Sequence, residues 1–143
     1  MFEIYVYWIS TTLLSALYVA SATVYVTRRQ WVGQALTDLG YPLYLVPVLI
    51  AIKFLAVAAL WSRVSVALSD LAYAGMLFHL LLSASAHFNA RKPKGALPAL
   101  LGLVLLLASF YTQNSARDVP SPYAPTSIEQ SQESIIRSPR WVD

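Results

Sequence analysis

The stretch LYLVPVLIAIKFLAVAALW, residues 43–61, decides the architecture. It holds one charge, Lys53, among aliphatic and aromatic side chains, and as an α-helix it is long enough to cross the hydrocarbon core of a bilayer. A backbone inside lipid must satisfy its own hydrogen bonds, which a single run of this kind does as a helix. Three further apolar runs surround it. Upstream, Ile4 to Val26 gives 23 residues, about 34 Å of helix, and is stopped by Arg28 and Arg29. Downstream, a run from about Leu68 to Ala90 contains Asp70, His79 and His87 and ends at Arg91, Lys92, Pro93 and Lys94. The last run, Ala96 to Thr112, spans only about 25 Å as a helix. Together these predict an all-α integral membrane protein, an antiparallel bundle of four transmembrane helices forming one domain over residues 1–112.

Composition agrees. Of 143 residues, 57% are hydrophobic and 12% charged, about half the charge fraction of a soluble domain. Charge collects in the connectors. Residues 1–112 hold seven Lys/Arg against three Asp/Glu, and the remainder three against four. The basic excess therefore reads as a topology signal and not as a nucleic-acid footprint. Arg28 and Arg29 lie at one end of the bundle with Arg91, Lys92 and Lys94, which by the positive-inside rule places both termini outside. The chain has no cysteine, which excludes disulfides, dithiol chemistry and thiolate metal ligation within it. The first run is read as a retained span, because Glu3 is the only charge before it and a signal peptide needs a basic start.

Two segments lie outside the spans. In Gln30 to Pro42, the positions Trp31, Val32, Ala35, Leu36 and Leu39 follow an amphipathic helical spacing, which suits a short helix in the membrane interface. From Gln113 onward the chain is rich in proline, serine and glutamine and has no apolar periodicity, so residues 113–143 are expected to be a disordered polar tail. Ile135, Ile136, Trp141 and Val142 are its few groups able to touch a membrane surface.

Lys53 is the most informative single residue. A lysine near the bilayer centre costs about 2.5–3.5 kcal/mol on insertion scales, so such residues usually face the bundle interior and mark a site. By depth along antiparallel helices, Lys53 reaches either Asp70 with Tyr73 or, sideways, His79. Asp70 and Tyr73, three apart, share a face, whereas Asp70 and His79, nine apart, lie on opposite sides. The pairing favoured on that ground is Lys53 with Asp70 and Tyr73. His79, Ser83 and His87 form a second polar stripe, and a histidine in a membrane can relay protons or bind a ligand. Two histidines eight apart on one helix are too widely spaced to clamp a haem, and the core offers no set of zinc ligands, so no metal site is expected. In the first span Thr11, Ser15, Tyr18, Ala22 and Tyr25 form a small, hydroxylated stripe suited by default to helix packing, with a ligand cavity lined by these hydroxyls as the sharper alternative.

Several of these residues also carry a resemblance. Tyr7-Trp8-Ile9-Ser10-Thr11 opens the first span, and Leu39-Gly40-Tyr41-Pro42 leads to Lys53. Asp70 then precedes Ala72-Tyr73-Ala74-Gly75, and His87 closes the third span. In that order and spacing they resemble the DoxX-like family of bacterial four-helix membrane proteins, over nearly all of residues 4–112. The resemblance implies a multi-pass protein of a bacterial inner membrane, with Lys53, Tyr73, Gly75 and His87 on matching positions. Asp70 stands where the family often has glutamate, and His79 where relatives often have an acid or amide. The family name comes from an association with a thiosulfate:quinone oxidoreductase, so the resemblance implies a membrane redox partner and a quinone as ligand.

Two functions follow as expectations. One is an accessory module for redox or quinone-linked proteins. The other is a membrane-embedded enzyme or binding protein for a lipophilic small molecule, with Lys53, Asp70, Tyr73 and His79 as catalytic candidates. The candidate ligand-binding residues are Lys53, Tyr73, His79 and His87. A subunit whose buried charges only fix helix register is the third possibility.

Overall fold

A computed structural model describes residues 1–137, and every regular element among them is helical. The elements are α1 (Phe2–Thr27), α2 (Arg29–Asp38), α3 (Leu45–Ser62), α4 (Val66–Asn89), α5 (Leu97–Thr112) and α6 (Ile128–Arg137), with 3₁₀ turns at Pro93–Ala96 and Gln113–Ala116. Among the described residues four helical stretches, α1, α3, α4 and the one that contains α5, are long and apolar enough to cross a membrane. They run alternately up and down and close a ring, in which α1 packs on α3 and α5, and α4 packs on α3 and α5.

Lipid-facing helices gain little from hiding one apolar face from another, so they associate through small and hydroxylated side chains that allow close approach. The inner face of α1 follows that rule. Its buried residues include Ser10, Thr11, Ser15 and Ala22 as well as Tyr7, Leu14 and Tyr18. Large apolar side chains such as Leu55, Leu71, Phe78 and Val104 point outward instead, as expected of surfaces that meet acyl chains. The core between the helices is built from Leu14, Leu60, Met76, Leu80 and Leu106, with Tyr18 and Tyr73.

Helix ends have local causes. Arg63 adopts a left-handed backbone with φ 50° and stops α3. Ser65 then caps α4 by accepting from the Leu68 amide at 3.1 Å, which starts that helix at Val66, two residues ahead of the sequence expectation. Gly40, at φ +86°, supplies the turn conformation that a side chain would oppose, and Tyr41-Pro42 redirects the chain into α3. α2 packs Val32 and Leu36 against Val46, with Tyr25, Leu49 and Ile50 around them, and leaves Trp31 65% exposed. Its last residue, Asp38, accepts from Gln34 at 2.9 Å and pairs with Lys92 at 3.5 Å. The Gln34 hydrogen bond first, and then Lys92, hold the Asp38 carboxyl below its ordinary value. That tie is therefore present above the ordinary carboxylate range and is lost as pH falls through the lowered value.

The polar segment after α5 departs from what its composition suggests. Residues 113–127 fold back over the end of the bundle at which α1 begins. Gln113, Asn114, Ser121 and Ser127 are buried. Asn114 donates to the carbonyls of Ser121, Ala124 and Pro125 at 3.1, 3.1 and 3.0 Å and accepts from the Ser121 amide at 2.7 Å. Arg63 donates to the Ala116 carbonyl and lies over the Trp8 ring at 5.5 Å. A segment too polar to form a core is thus ordered by specific acceptors that the bundle and its own turns provide. Beyond it, α6 leaves Ile135 and Ile136 exposed. Trp141 and Val142 lie outside the described residues.

Candidate functional site

Lys53 is 4% exposed, so it faces the interior. It comes from the middle of α3, a helix whose remaining side chains through the span are apolar. Its ammonium meets His79 of α4, with Nζ 3.4 Å from Nε2. Two phenol rings of α1 flank it, Tyr25 at 4.8 Å and Tyr18 at 5.4 Å from ring centroid to Nζ. Aromatic faces carry negative quadrupole density and offset part of the cost of holding a cation away from water. Among the described residues no carboxylate forms an ion pair with Lys53.

The hydrogen-bond roles follow from chemistry. An ammonium has donors only, so His79 Nε2 accepts from it. The neutral imidazole then carries its proton on Nδ1 and donates to Tyr18 Oη, 3.1 Å away. The phenol hydrogen in turn points to the Met76 carbonyl at 3.4 Å. This arrangement fixes the tautomer and orders Lys53, His79 and Tyr18 as one connected set. It also crosses the diagonal of the ring, from α1 to α4, by side chains alone. One lysine N–H is used by His79. The other two face aromatic rings, with no oxygen acceptor among the described residues.

The pairing of Lys53 with Asp70 and Tyr73 is not what the structure contains. Tyr73 shares a 2.6 Å hydrogen bond with Ser109, and Ser109 another of 2.6 Å with Thr11. These three hydroxyls make a separate buried layer joining α4, α5 and α1. Asp70 lies at the tail end, where Gln113 donates to one carboxylate oxygen at 3.3 Å and Ser121 to the other at 2.8 Å. Its role there is to receive the folded-back segment. Between the Tyr73 layer and the Lys53 set stand Leu14 of α1 and Met76 of α4, both almost fully buried.

His87 belongs to neither layer. Its ring packs on Gly95 in the turn before α5, and its Nδ1 is buried with no partner among the described residues. A methyl group at position 95 would come within 2.6 Å of the ring Cε1 and closer still to Nδ1. Gly95→Ala is accordingly expected to cost about 1–3 kcal/mol through overpacking, read as a lower thermal midpoint in detergent. In a His87→Ala background the same change should cost little. An equal loss in both backgrounds would mean that the ring contact is not the cause.

The sequence singled out Lys53 and His79, and placed Tyr18 and Tyr25 on a stripe read first as packing and second as a cavity lining, without joining them to the lysine. Their seven-residue spacing puts them on one face of α1 about 10 Å apart along the axis, and the lysine lies against both. Ser109, Gln113 and Ser121, which hold Tyr73 and Asp70, carried no signal in the sequence. Among the described residues no three metal-ligating side chains converge.

The site as built is a cationic hydrogen-bond donor with two spare N–H bonds, walled by flat aromatic rings and surrounded by apolar helices that face lipid. The sequence pattern that defines the DoxX-like family matches residues 9–109, a range that takes in α3 and α4 whole, most of α1 and α5, and every residue of the Lys53 set. No curated protein and no solved structure matches the chain.

Proposed function

The chain belongs to the DoxX-like family and is a multi-pass membrane protein, and from that premise we propose that it is an accessory module whose Lys53 site holds the oxygen-bearing head of a quinone-type lipophile for a membrane redox partner. One observation carries this reading. Lys53 is a buried cation in the middle of α3 with two N–H bonds that no oxygen of the described residues accepts. Burying such a group without a partner is costly, and a carbonyl oxygen seated on it would offset that cost.

The residues present fit a quinone head. Lys53 supplies the donors, the Tyr25 ring gives a flat face at 4.8 Å from the ammonium, and His79 with Tyr18 fixes where the ammonium points. A quinone supplies carbonyl acceptors on an apolar ring and, when bound, carries electrons between partner proteins. The chain's own contribution is to orient that ring, to exclude water and to offer a proton donor at Nζ. Tyr73 and His87, expected from the sequence to bind ligand, lie in other contacts and are not part of this proposal. The bilayer we assign is a bacterial inner membrane, the setting the family resemblance implies.

A second reading rests on the connected Lys53–His79–Tyr18 set, which has the composition of an acid–base relay. It would make the protein an enzyme acting on a lipophilic small molecule, and it requires turnover by the purified chain alone. The test of the first reading is mass spectrometry of an organic extract of the protein purified in mild detergent. A quinone or other carbonyl-headed lipophile enriched over extracts of membranes lacking the protein is the expected result. An extract indistinguishable from those controls would turn the assignment to a subunit whose buried charge sets helix register.

A further inference from the structure

A groove of about 340 Å³ opens on the outer side of the bundle where α1 ends and α3 begins, lined by Val26, Arg29, Pro47, Ile50 and Ala51. Four of these five residues are apolar. Val26 is half exposed, and Pro47 and Ala51 are exposed as well, so the groove faces lipid and not the bundle interior. The fifth residue, Arg29, stands at its rim on the end of the bundle that gathers Arg28, Arg91, Lys92 and Lys94. Among the described residues neither Arg28 nor Arg29 forms an ion pair.

A second feature converges on the same spot. α2 starts at Arg29 and has no side-chain cap, so its first-turn amides and the positive end of its dipole lie beside that guanidinium. Helix N-termini of this kind favour anionic oxygens. The groove therefore combines a greasy channel along α3 with a doubly positive rim at the depth where lipid headgroups begin.

We propose that this groove binds an anionic phospholipid, one acyl chain lying along Pro47, Ile50 and Ala51 and the phosphate resting on Arg29 and the start of α2. Charge complementarity selects this occupant, since a neutral apolar molecule would leave Arg29 and the helix end without a partner. A basic pocket between transmembrane helices is a recognised kind of site for acidic headgroups. The proposal is independent of Lys53, whose ammonium points into the bundle.

Native mass spectrometry of the full chain in a non-ionic detergent tests it, with palmitoyl-oleoyl phosphatidylglycerol or phosphatidylcholine added at equal concentration. The chain is expected to retain the glycerol lipid about fivefold more than the choline lipid. Arg29→Gln should abolish that preference, and Ala51→Trp, which fills the groove, should lower retention of both lipids. Lys94→Gln, at the same end but away from the groove, should leave the preference unchanged. Equal retention of the two lipids by the unaltered chain would overturn the proposal. So would a preference that survives Arg29→Gln, or one lost as fully in Lys94→Gln, which would point to diffuse surface charge. Thermal midpoints of the lipid-free variants confirm that each is folded.

Discussion

Lys53→Leu should leave the protein folded in the membrane while weakening its hold on an oxygen-headed lipophile roughly tenfold to a hundredfold. The affinity loss follows from deleting a charge-assisted hydrogen bond, a contribution of about 1.5–3 kcal/mol. The folding side follows from the surroundings of the ammonium. Lysine at the centre of a span opposes insertion by about 2.5–3.5 kcal/mol, and leucine favours it slightly. Lys53 also makes no ion pair with a described residue, so removing it strands no carboxylate. His79 loses a donor but keeps Tyr18 at 3.1 Å. The comparison to make is the extract of the variant beside that of the wild type, with thermal unfolding of both. A variant that unfolds several degrees lower would assign the lysine to structure. One that keeps the lipophile at wild-type levels would place the ligand elsewhere.

Asn114→Ala should release the segment that covers the end of the bundle without disturbing the spans. One side chain gathers three carbonyls and one amide there. Two amide hydrogens shared among the three carbonyls and one accepted hydrogen make three hydrogen bonds' worth of contact, and at about 1 kcal/mol net for each one lost, undocking would become easier by on the order of a hundredfold. Arg117 lies within that segment, and a protease that acts on the open form cuts in proportion to its population. Trypsin cleavage after Arg117 should therefore accelerate by a similar factor in Asn114→Ala, with helical content and the thermal midpoint of the spans retained. Unchanged cleavage would mean that Arg63 and Asp70 hold the segment by themselves.

What could be read from the sequence divides along physical lines. The spans were legible because lipid imposes a coarse rule, and runs such as residues 43–61 satisfy it whatever their neighbours. Lys53 was legible for the same reason, as the only charge in its run. Its partner was not. Depth along the helix axes left both His79 and the Asp70–Tyr73 pair within reach, and the choice depends on how α4 is rotated about its own axis. Tyr73 and His79 are six residues apart, about 120° around the helix. One therefore turns to Ser109 on α5 while the other turns to Lys53, and composition does not encode which. The folded-back segment was hidden differently. Its acceptors are backbone carbonyls at Ser121, Ala124 and Pro125, and these become a binding set for Asn114 only after the turns exist.

The apolar layer formed by Leu14 and Met76 divides the polar interior of the bundle in two. Tyr18 and Thr11, on either side of it on α1, are seven residues apart, about 10 Å along the axis, and Ser15 between them is taken up by the Trp61 indole N–H at 2.8 Å. A hydrogen bond needs donor and acceptor within about 3 Å, so among the described side chains no continuous chain of hydrogen bonds joins the Tyr73 layer to the Lys53 set. Substitutions in one polar layer are therefore expected to leave the hydrogen bonds of the other in place.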